Sequence, residues 1–202
     1  MSTEDNKTTR GKPAAFLGST LMLGFLVSVL SVLTAAANYM AYQEGNASLD
    51  NNLAGDRALA ESNTLYLEAT QYIIVDYNMY DGYQIQSGLD DFAADYYLSQ
   101  FSGPLLASIE RDDIWGDQYY EEMYADALAK RDEAFAYFDE ANRQSEREGG
   151  FQFSMLIAAV GLAFAAYASL LDESNRLRSV FALISILLMA FSTMQFFTTY
   201  LA

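Results

Sequence analysis

Three long stretches without a charged side chain constrain this 202-residue sequence more than any other feature. They cover residues 13–43, 149–171 and 179–202. Each is longer than the roughly 20 residues that a helix needs to cross a hydrocarbon core about 30 Å thick. A soluble bundle is disfavoured, because little other apolar sequence remains to surround three such helices. We therefore predict an all-α membrane protein with three transmembrane helices, and the lipid bilayer as its immediate surrounding.

The charge-free stretches divide the sequence into membrane spans and polar segments. Between spans one and two we predict an inserted external α-helical domain, acidic and rich in tyrosine. The predicted segments are a cytoplasmic tail at 1–13, span one at 14–38, the external domain at 39–150, span two at 151–171, a cytoplasmic turn at 172–178 and span three at 179–202.

The basic residues beside the spans predict the orientation. Lys7, Arg10 and Lys12 precede span one, and Arg176 and Arg178 occupy the turn between spans two and three. Short cytoplasmic segments carry an excess of lysine and arginine, whereas long translocated segments largely escape this rule. We expect a multi-pass protein of the cell (plasma) membrane, with a cytoplasmic N-terminus and an external C-terminus.

Span one also resembles a signal peptide, since Ala35-Ala36-Ala37 fits a small-residue cleavage site. Its apolar run of about 20 residues is longer than the usual apolar region of about 7–15 residues. A retained membrane anchor is the favoured interpretation.

The segment between spans one and two is strongly acidic. Residues 39–151 hold 23 acidic and 6 basic side chains. Such a charge disfavours binding to nucleic acid and docking on anionic lipid. No nucleic-acid partner is therefore expected.

The absence of cysteine and histidine from the sequence excludes several kinds of chemistry. It removes thiolate nucleophiles, imidazole metal ligands and Ser–His hydrolysis. The run DYNMYDG at 76–82 superficially resembles a calcium loop, but its fifth position is Tyr80 and the twelfth is Ser87, where oxygen ligands are needed. The acidic pairs at 112–113 and 121–122 do not face each other on a helix. We predict a non-enzymatic protein without a metal site or cofactor, and no pattern identifies a small-molecule ligand.

Small and hydroxyl residues recur along one face of each of the first two spans. Such faces let helices approach closely in lipid, where hydrophobic sequestration supplies no drive. We interpret them as packing seams, either within a protomer or between protomers. The seam residues are Gly24, Ser28, Ser31, Ala35 and Asn38 in span one, and Gly161, Ala165 and Ser169 in span two.

Span three carries four polar residues on a heptad-like face: Ser185, Ser192, Gln195 and Thr199. Helix packing explains them, and a pore lining in an oligomer is the alternative. No charged residue lies inside the spans, which disfavours a proton relay.

The external segment shows helical periodicity at 47–77, 89–101 and 117–147, which predicts a few short amphipathic helices. The outer two are expected to continue spans one and two. Gly149-Gly150 is expected to be a joint between the last of them and span two. In the middle stretch, Leu89, Phe92, Tyr96 and Phe101 approximate an apolar stripe with helical spacing.

Tyrosine is concentrated outside the spans, with 13 of the 15 tyrosines between residues 39 and 137. Tyrosine suits positions that have one apolar and one wet side, including binding surfaces. The region 75–101 is therefore the predicted external docking surface, formed by Tyr77, Tyr80, Tyr83, Tyr96 and Tyr97.

The order of a span, a helical insert and a two-span hairpin resembles uncharacterised prokaryotic three-span membrane proteins of the domain-of-unknown-function kind. The resemblance rests on SVLTAAANYMAYQEGNASLDNNLAGDRALAESNTLYLEA at 31–69 and AAYASLLDESNRLRSVFALISILL at 165–188. It covers the whole topology and implies no activity.

Three functions fit these features. The leading hypothesis is a membrane protein that acts by assembly, as a homo-oligomeric scaffold or as an accessory subunit beside other membrane proteins. The alternatives are an oligomeric channel lined by span three and an external ligand-binding or sensor module.

Overall fold

The computed structural model of the chain describes residues 18–173 and 175–202, and all regular structure in these residues is α-helical. The predicted tail at 1–13 and the first residues of predicted span one lie outside the described residues. The helices are α1 (Thr20–Gln86), α2 (Asp91–Leu98), α3 (Gly103–Glu110), α4 (Asp117–Leu170) and α5 (Arg176–Leu201).

Three of these helices, α1, α4 and α5, are long and apolar enough to cross a membrane. The predicted all-α class and the three candidate spans are confirmed. Two of the helices greatly exceed a membrane crossing, with 67 residues in α1 and 54 in α4.

The chain divides into two compact units. The span unit combines the chain up to Leu49 with Asn142–Ala202, and the insert unit is Asp50–Ala141. The apolar stretches of α1, α4 and α5 lie in the span unit.

The span unit is packed with leucine against alanine. Leu23, Leu26 and Leu30 of α1 are fully buried. They share one core with Ala158, Ala165 and Ala168 of α4 and with Ala182 of α5. Small side chains on α4 and α5 leave room for the branched side chains of α1, which is how helices gain van der Waals contact in lipid.

The expected joint at Gly149-Gly150 is wrong, because both glycines lie inside the uninterrupted helix α4. A helix tolerates glycine at a cost of about 1 kcal/mol relative to alanine. Gly150 has a packing role instead: a Cβ atom there would lie 2.5 Å from Oγ1 of Thr199. Gly149 has open space around it.

The insert unit holds two short helices with well-formed N-caps. The Asp90 side chain accepts a hydrogen bond from the backbone N–H of Ala93 at the start of α2. Ser102 accepts one from the N–H of Leu105 at the start of α3, where Pro104 occupies the first turn. The core of the unit contains Ile73, Phe101, Leu105 and Tyr119.

Candidate functional site

The predicted seam of span one faces away from the core of the span unit. All five of its residues are exposed: Gly24, Ser28, Ser31, Ala35 and Asn38. A Cβ atom at Gly24 would meet nothing within 4 Å. The hydroxyls of Ser28 and Ser31 donate to the carbonyls of Gly24 and Val27, one turn earlier on the same helix. The seam is therefore a free strip of small side chains whose hydroxyls are satisfied within α1.

The predicted seam of span two lies partly in the interior. Gly161 and Ala165 are buried, whereas Ser169 is exposed and donates to the carbonyl of Ala166. A Cβ atom at Gly161 would lie 3.2 Å from Cβ of Leu188 and 3.3 Å from a methyl group of Leu30. Gly161 thus lets α4 approach both α1 and α5 closely.

The polar face of α5 is directed at α4 of the same protomer. Ser185 Oγ donates to the Gly161 carbonyl at 2.9 Å. The hydroxyls of Ser192 and Ser154 each donate to the other residue's carbonyl, at 2.8 and 2.9 Å. Thr199 is buried beside Gly150, and Gln195 is half-buried. These hydroxyls join α4 and α5, so they are engaged within the protomer, which does not favour a pore lining.

Arg178 is a buried arginine at the start of α5, with only 5% of its surface exposed. Its Nε donates to the Gly18 carbonyl at 2.6 Å and its Nη1 to the Leu171 carbonyl at 2.8 Å. Its Nη2 donates to Oγ1 of Thr20 at 3.0 Å. The planar fork of arginine suits several acceptors at once. Sequence reasoning used Arg178 only as a marker of orientation and missed its role in joining the ends of three helices.

Asp76 is the buried carboxylate of the insert unit, at 1% exposure. Its Oδ1 accepts from the backbone N–H of Ser102 at 3.0 Å. Its Oδ2 accepts from the Ser102 hydroxyl at 2.5 Å and from the Tyr119 hydroxyl at 2.8 Å. One side chain of α1 therefore holds the beginning of α3 and the first turn of α4.

The hydrogen-bond partners of Asp76 indicate a structural role for this carboxylate. Burial raises the pKa of Tyr119, and the hydrogen bond to Asp76 raises it further. Three donors reach the carboxyl oxygens of Asp76, and such hydrogen bonds offset the cost of burying a polar group. Within the described part of the chain, no group of three or more histidine, cysteine, aspartate or glutamate residues is placed to hold a metal ion. The arrangement is a structural centre, and sequence reasoning had considered Asp76 only as a rejected calcium ligand.

Three of the five tyrosines predicted to form a docking surface pack onto other aromatic rings of the insert unit. Tyr77 and Tyr80 contact Trp115, with ring centroids 4.3 and 5.6 Å apart. Tyr83 meets Phe101 edge to face. The hydroxyls of Tyr77 and Tyr120 are 2.5 Å apart, and this hydrogen bond raises the pKa of Tyr120 to about 12. The structure thus brings Tyr77, Tyr80 and Tyr83 together around one aromatic cluster.

The other two tyrosines lie on α2 and differ in their surroundings. The Tyr97 ring lies against Gly82, where a Cβ atom would come within 2.5 Å of it. Tyr96 is 59% exposed. The rings of Tyr96 and Tyr97 meet edge to face, with centroids 5.8 Å apart. The docking surface remains a prediction.

The apolar stripe predicted at 89–101 lies mostly at the surface. Phe101 is buried, but Leu89 is 80%, Phe92 86% and Tyr96 59% exposed. The eight-residue helix α2 buries Ala94 and packs Tyr97 instead. Small Ala94 allows close packing, and the bulkier stripe is left outside. We call Leu89, Phe92 and Tyr96 the α2 patch.

Comparison with protein-family models, curated proteins and solved structures found no match to this chain. The resemblance to three-span membrane proteins remains a prediction.

Proposed function

We propose that this protein acts by assembly in a membrane, as a homo-oligomeric scaffold or as an accessory subunit of a larger membrane complex, and not as an enzyme. The observation that carries the proposal is the free seam on α1. Its five small or polar residues are exposed in the protomer, although their size suits close helix packing. A second transmembrane helix, from another copy or another subunit, is the partner that such a face suits.

The proposed orientation places the N-terminus in the cytoplasm and residues 39–150 and the C-terminus outside the cell membrane. Arg176 and the basic residues at 7–12 support it through the positive-inside rule. The acidic insert unit supports it as well, since a domain with this charge is repelled by the anionic cytoplasmic leaflet.

The proposal is tested by measuring the mass of the full-length protein, purified from membranes in mild detergent, by native mass spectrometry. We expect a homo-oligomer or a co-purifying subunit. Gly24→Leu should reduce the associated fraction, because it fills the free seam at a position where an added Cβ atom meets nothing within 4 Å.

Gly149→Leu is the matched control, since Gly149 also has nothing within 4 Å of its Cβ position and lies on another helix of the span unit. Its assembly should equal that of the unmodified protein. A monodisperse monomer from several detergents would refute the proposal. Equal dissociation by both variants would mean that the α1 seam is not the contact.

A further inference from the structure

We propose that the α2 patch is a docking site for a different protein, one whose surface carries lysine or arginine side chains around an apolar centre. The inference rests on the proposed function, because it gives the chemistry of one partner in the assembly. It concerns a surface of the insert unit and is independent of the α1 seam.

The α2 patch is the most exposed set of large apolar side chains in the insert unit. Phe92 and Leu89 are 86% and 80% exposed, more than any other large apolar residue of that unit. Phe92 and Tyr96 are four residues apart on α2 and therefore lie on one face. Exposed apolar groups of the span unit have lipid to cover them, but this patch lies outside the candidate spans. Exposed aromatic side chains are typical anchors of protein interfaces.

The helix that presents the patch is held on its other side. Ala94 is buried, the Tyr97 ring lies against Gly82, and Asp90 caps the first turn. Such a fixed base reduces the ordering that binding would otherwise cost. The patch is thus presented on a helix that is already formed and anchored.

Acidic side chains accompany the α2 patch and specify the charge of the partner. Asp91 and Asp95 are exposed and lie on the same short helix. Among the described residues, no ion pair involves Asp81, Asp91 or Asp95. The sequence has no lysine or arginine between Arg57 and Arg111. Interfaces match opposite potentials, so a basic rim around an apolar centre fits this surface.

The same charges argue against two other occupants. A second copy of the chain would place aspartates opposite aspartates, which is repulsive. An anionic lipid surface would be repelled for the same reason. The partner is therefore a basic protein surface.

The test measures binding of a labelled amphipathic peptide to the full-length protein in zwitterionic nanodiscs, by fluorescence anisotropy. The probe is a helical peptide of about 18 residues, five turns long, with leucine on one face and lysine on its flanks. A second peptide carries glutamate in place of lysine. We expect the lysine peptide to bind above the background of empty nanodiscs and the glutamate peptide not to bind.

Two variants of the α2 patch should weaken this binding in different ways. Phe92→Ser should raise the Kd about ten-fold or more, because it removes the main apolar contact. Asp91→Asn combined with Asp95→Asn should raise the Kd several-fold and flatten its dependence on salt. Both changes lie on exposed side chains, so helix content by circular dichroism should not change.

Matched controls lie elsewhere in the insert unit. Leu67→Ser removes another exposed apolar side chain, and Asp50→Asn combined with Asp56→Asn removes the same charge from another acidic stretch. Neither should change the Kd. Equal losses in controls and patch variants, or no binding of the lysine peptide, would overturn the inference.

Self-association separates this inference from the proposed function. If Phe92→Ser abolished an oligomer seen by native mass spectrometry, the occupant would be a second copy, and the inference would be wrong while assembly remained. If the protein were monomeric without partners yet bound the lysine peptide through Phe92, the docking site would stand and homo-oligomerisation would fail.

Discussion

The main buried clusters of the span unit and of the insert unit differ in the kind of side chain that fills them. In the span unit, alanine, glycine and serine let backbones approach, and hydroxyls of one helix donate to carbonyls of another. In the insert unit, the main cluster combines aromatic and aliphatic side chains and includes Tyr119, whose hydroxyl donates to the buried Asp76 carboxylate. Lipid is as apolar as leucine, so packing and hydrogen bonds must supply the attraction between membrane-spanning helices.

The largest expected change in stability follows removal of the buried Asp76 carboxylate in the insert unit. Asp76→Ala should lower the free energy of unfolding by about 3–5 kcal/mol, because it leaves the Ser102 N–H and the Tyr119 hydroxyl buried without an acceptor. Denaturant unfolding of the detergent-solubilised protein measures the loss, and hydrogen exchange at the start of α3 locates it. Asp81→Ala, at an exposed acid on the same helix, is the control and should change stability by less than about 0.5 kcal/mol. A similar small effect at Asp76 would contradict its central role.

The corresponding polar centre of the span unit is Arg178. Arg178→Ala should cost about 2 kcal/mol, since it removes charged hydrogen bonds to two carbonyls and a hydroxyl. Arg178→Lys should restore only part of the stability, because a single ammonium group does not reproduce the arginine fork. Thermal unfolding in detergent provides the comparison. Full rescue by lysine would show that charge alone matters at this position.

Two adjacent glycines of α4 offer a sharper test of close packing in the span unit. Gly150→Ala should destabilise by about 1–2 kcal/mol, because the new methyl group would collide with Thr199. Gly149→Ala should instead stabilise by up to about 1 kcal/mol, through the higher helix propensity of alanine. Thermal unfolding of the two variants should therefore shift in opposite directions. The same sign for both would contradict the described approach of α4 and α5.

The smallest expected effect is a loss of stability at alkaline pH, caused by ionisation of tyrosines in the insert unit. It is absent near neutral pH. The pKa values of Tyr119 and Tyr120 are raised in the folded protein, to about 12 for Tyr120. Unfolded tyrosine has a pKa of about 10, so above that pH unfolding releases protons that the folded state retains. The contribution of these two tyrosines to stability should be fully present below about pH 10 and should be lost progressively as the pH rises towards 12.

Tyrosinate absorbance measures that titration. Tyr120→Phe should remove part of the alkaline loss of stability, while Tyr39→Phe, at an exposed tyrosine, serves as the control. Ionisation of Tyr119 near pH 10 with the helices still intact would contradict its burial beside Asp76.

The three candidate spans were predictable because their signal is local, whereas the unbroken helix α4 across Gly149-Gly150 was not predicted. Absence of charge over more than 20 residues reports directly on a membrane crossing. The interior of the insert unit could not be predicted in this way, because it depends on contacts between residues far apart in sequence. Asp76 meets Ser102 and Tyr119, which are 26 and 43 residues away. No local pattern distinguishes it from the exposed aspartates around it.

The orientation of α2 shows that periodicity in the sequence does not determine which face of a helix is buried. Leu89, Phe92 and Tyr96 have helical spacing in the sequence. That spacing does not specify whether these side chains are buried or exposed. In this protomer the small Ala94 faces inward and the stripe faces out. Likewise, positions 149 and 150 are both glycine but have different roles. Only the nearby Thr199 side chain distinguishes Gly150 from Gly149.

The position of Arg178 has a consequence for biogenesis. The ribosome makes α5 after α1, yet Arg178 at the start of α5 holds Gly18 and Thr20, which precede and begin α1. During synthesis the start of α1 therefore lacks its hydrogen bonds to Arg178 until the hairpin of α4 and α5 has been inserted. A chain truncated before α5 would leave the Gly18 and Leu171 carbonyls without their shared donor.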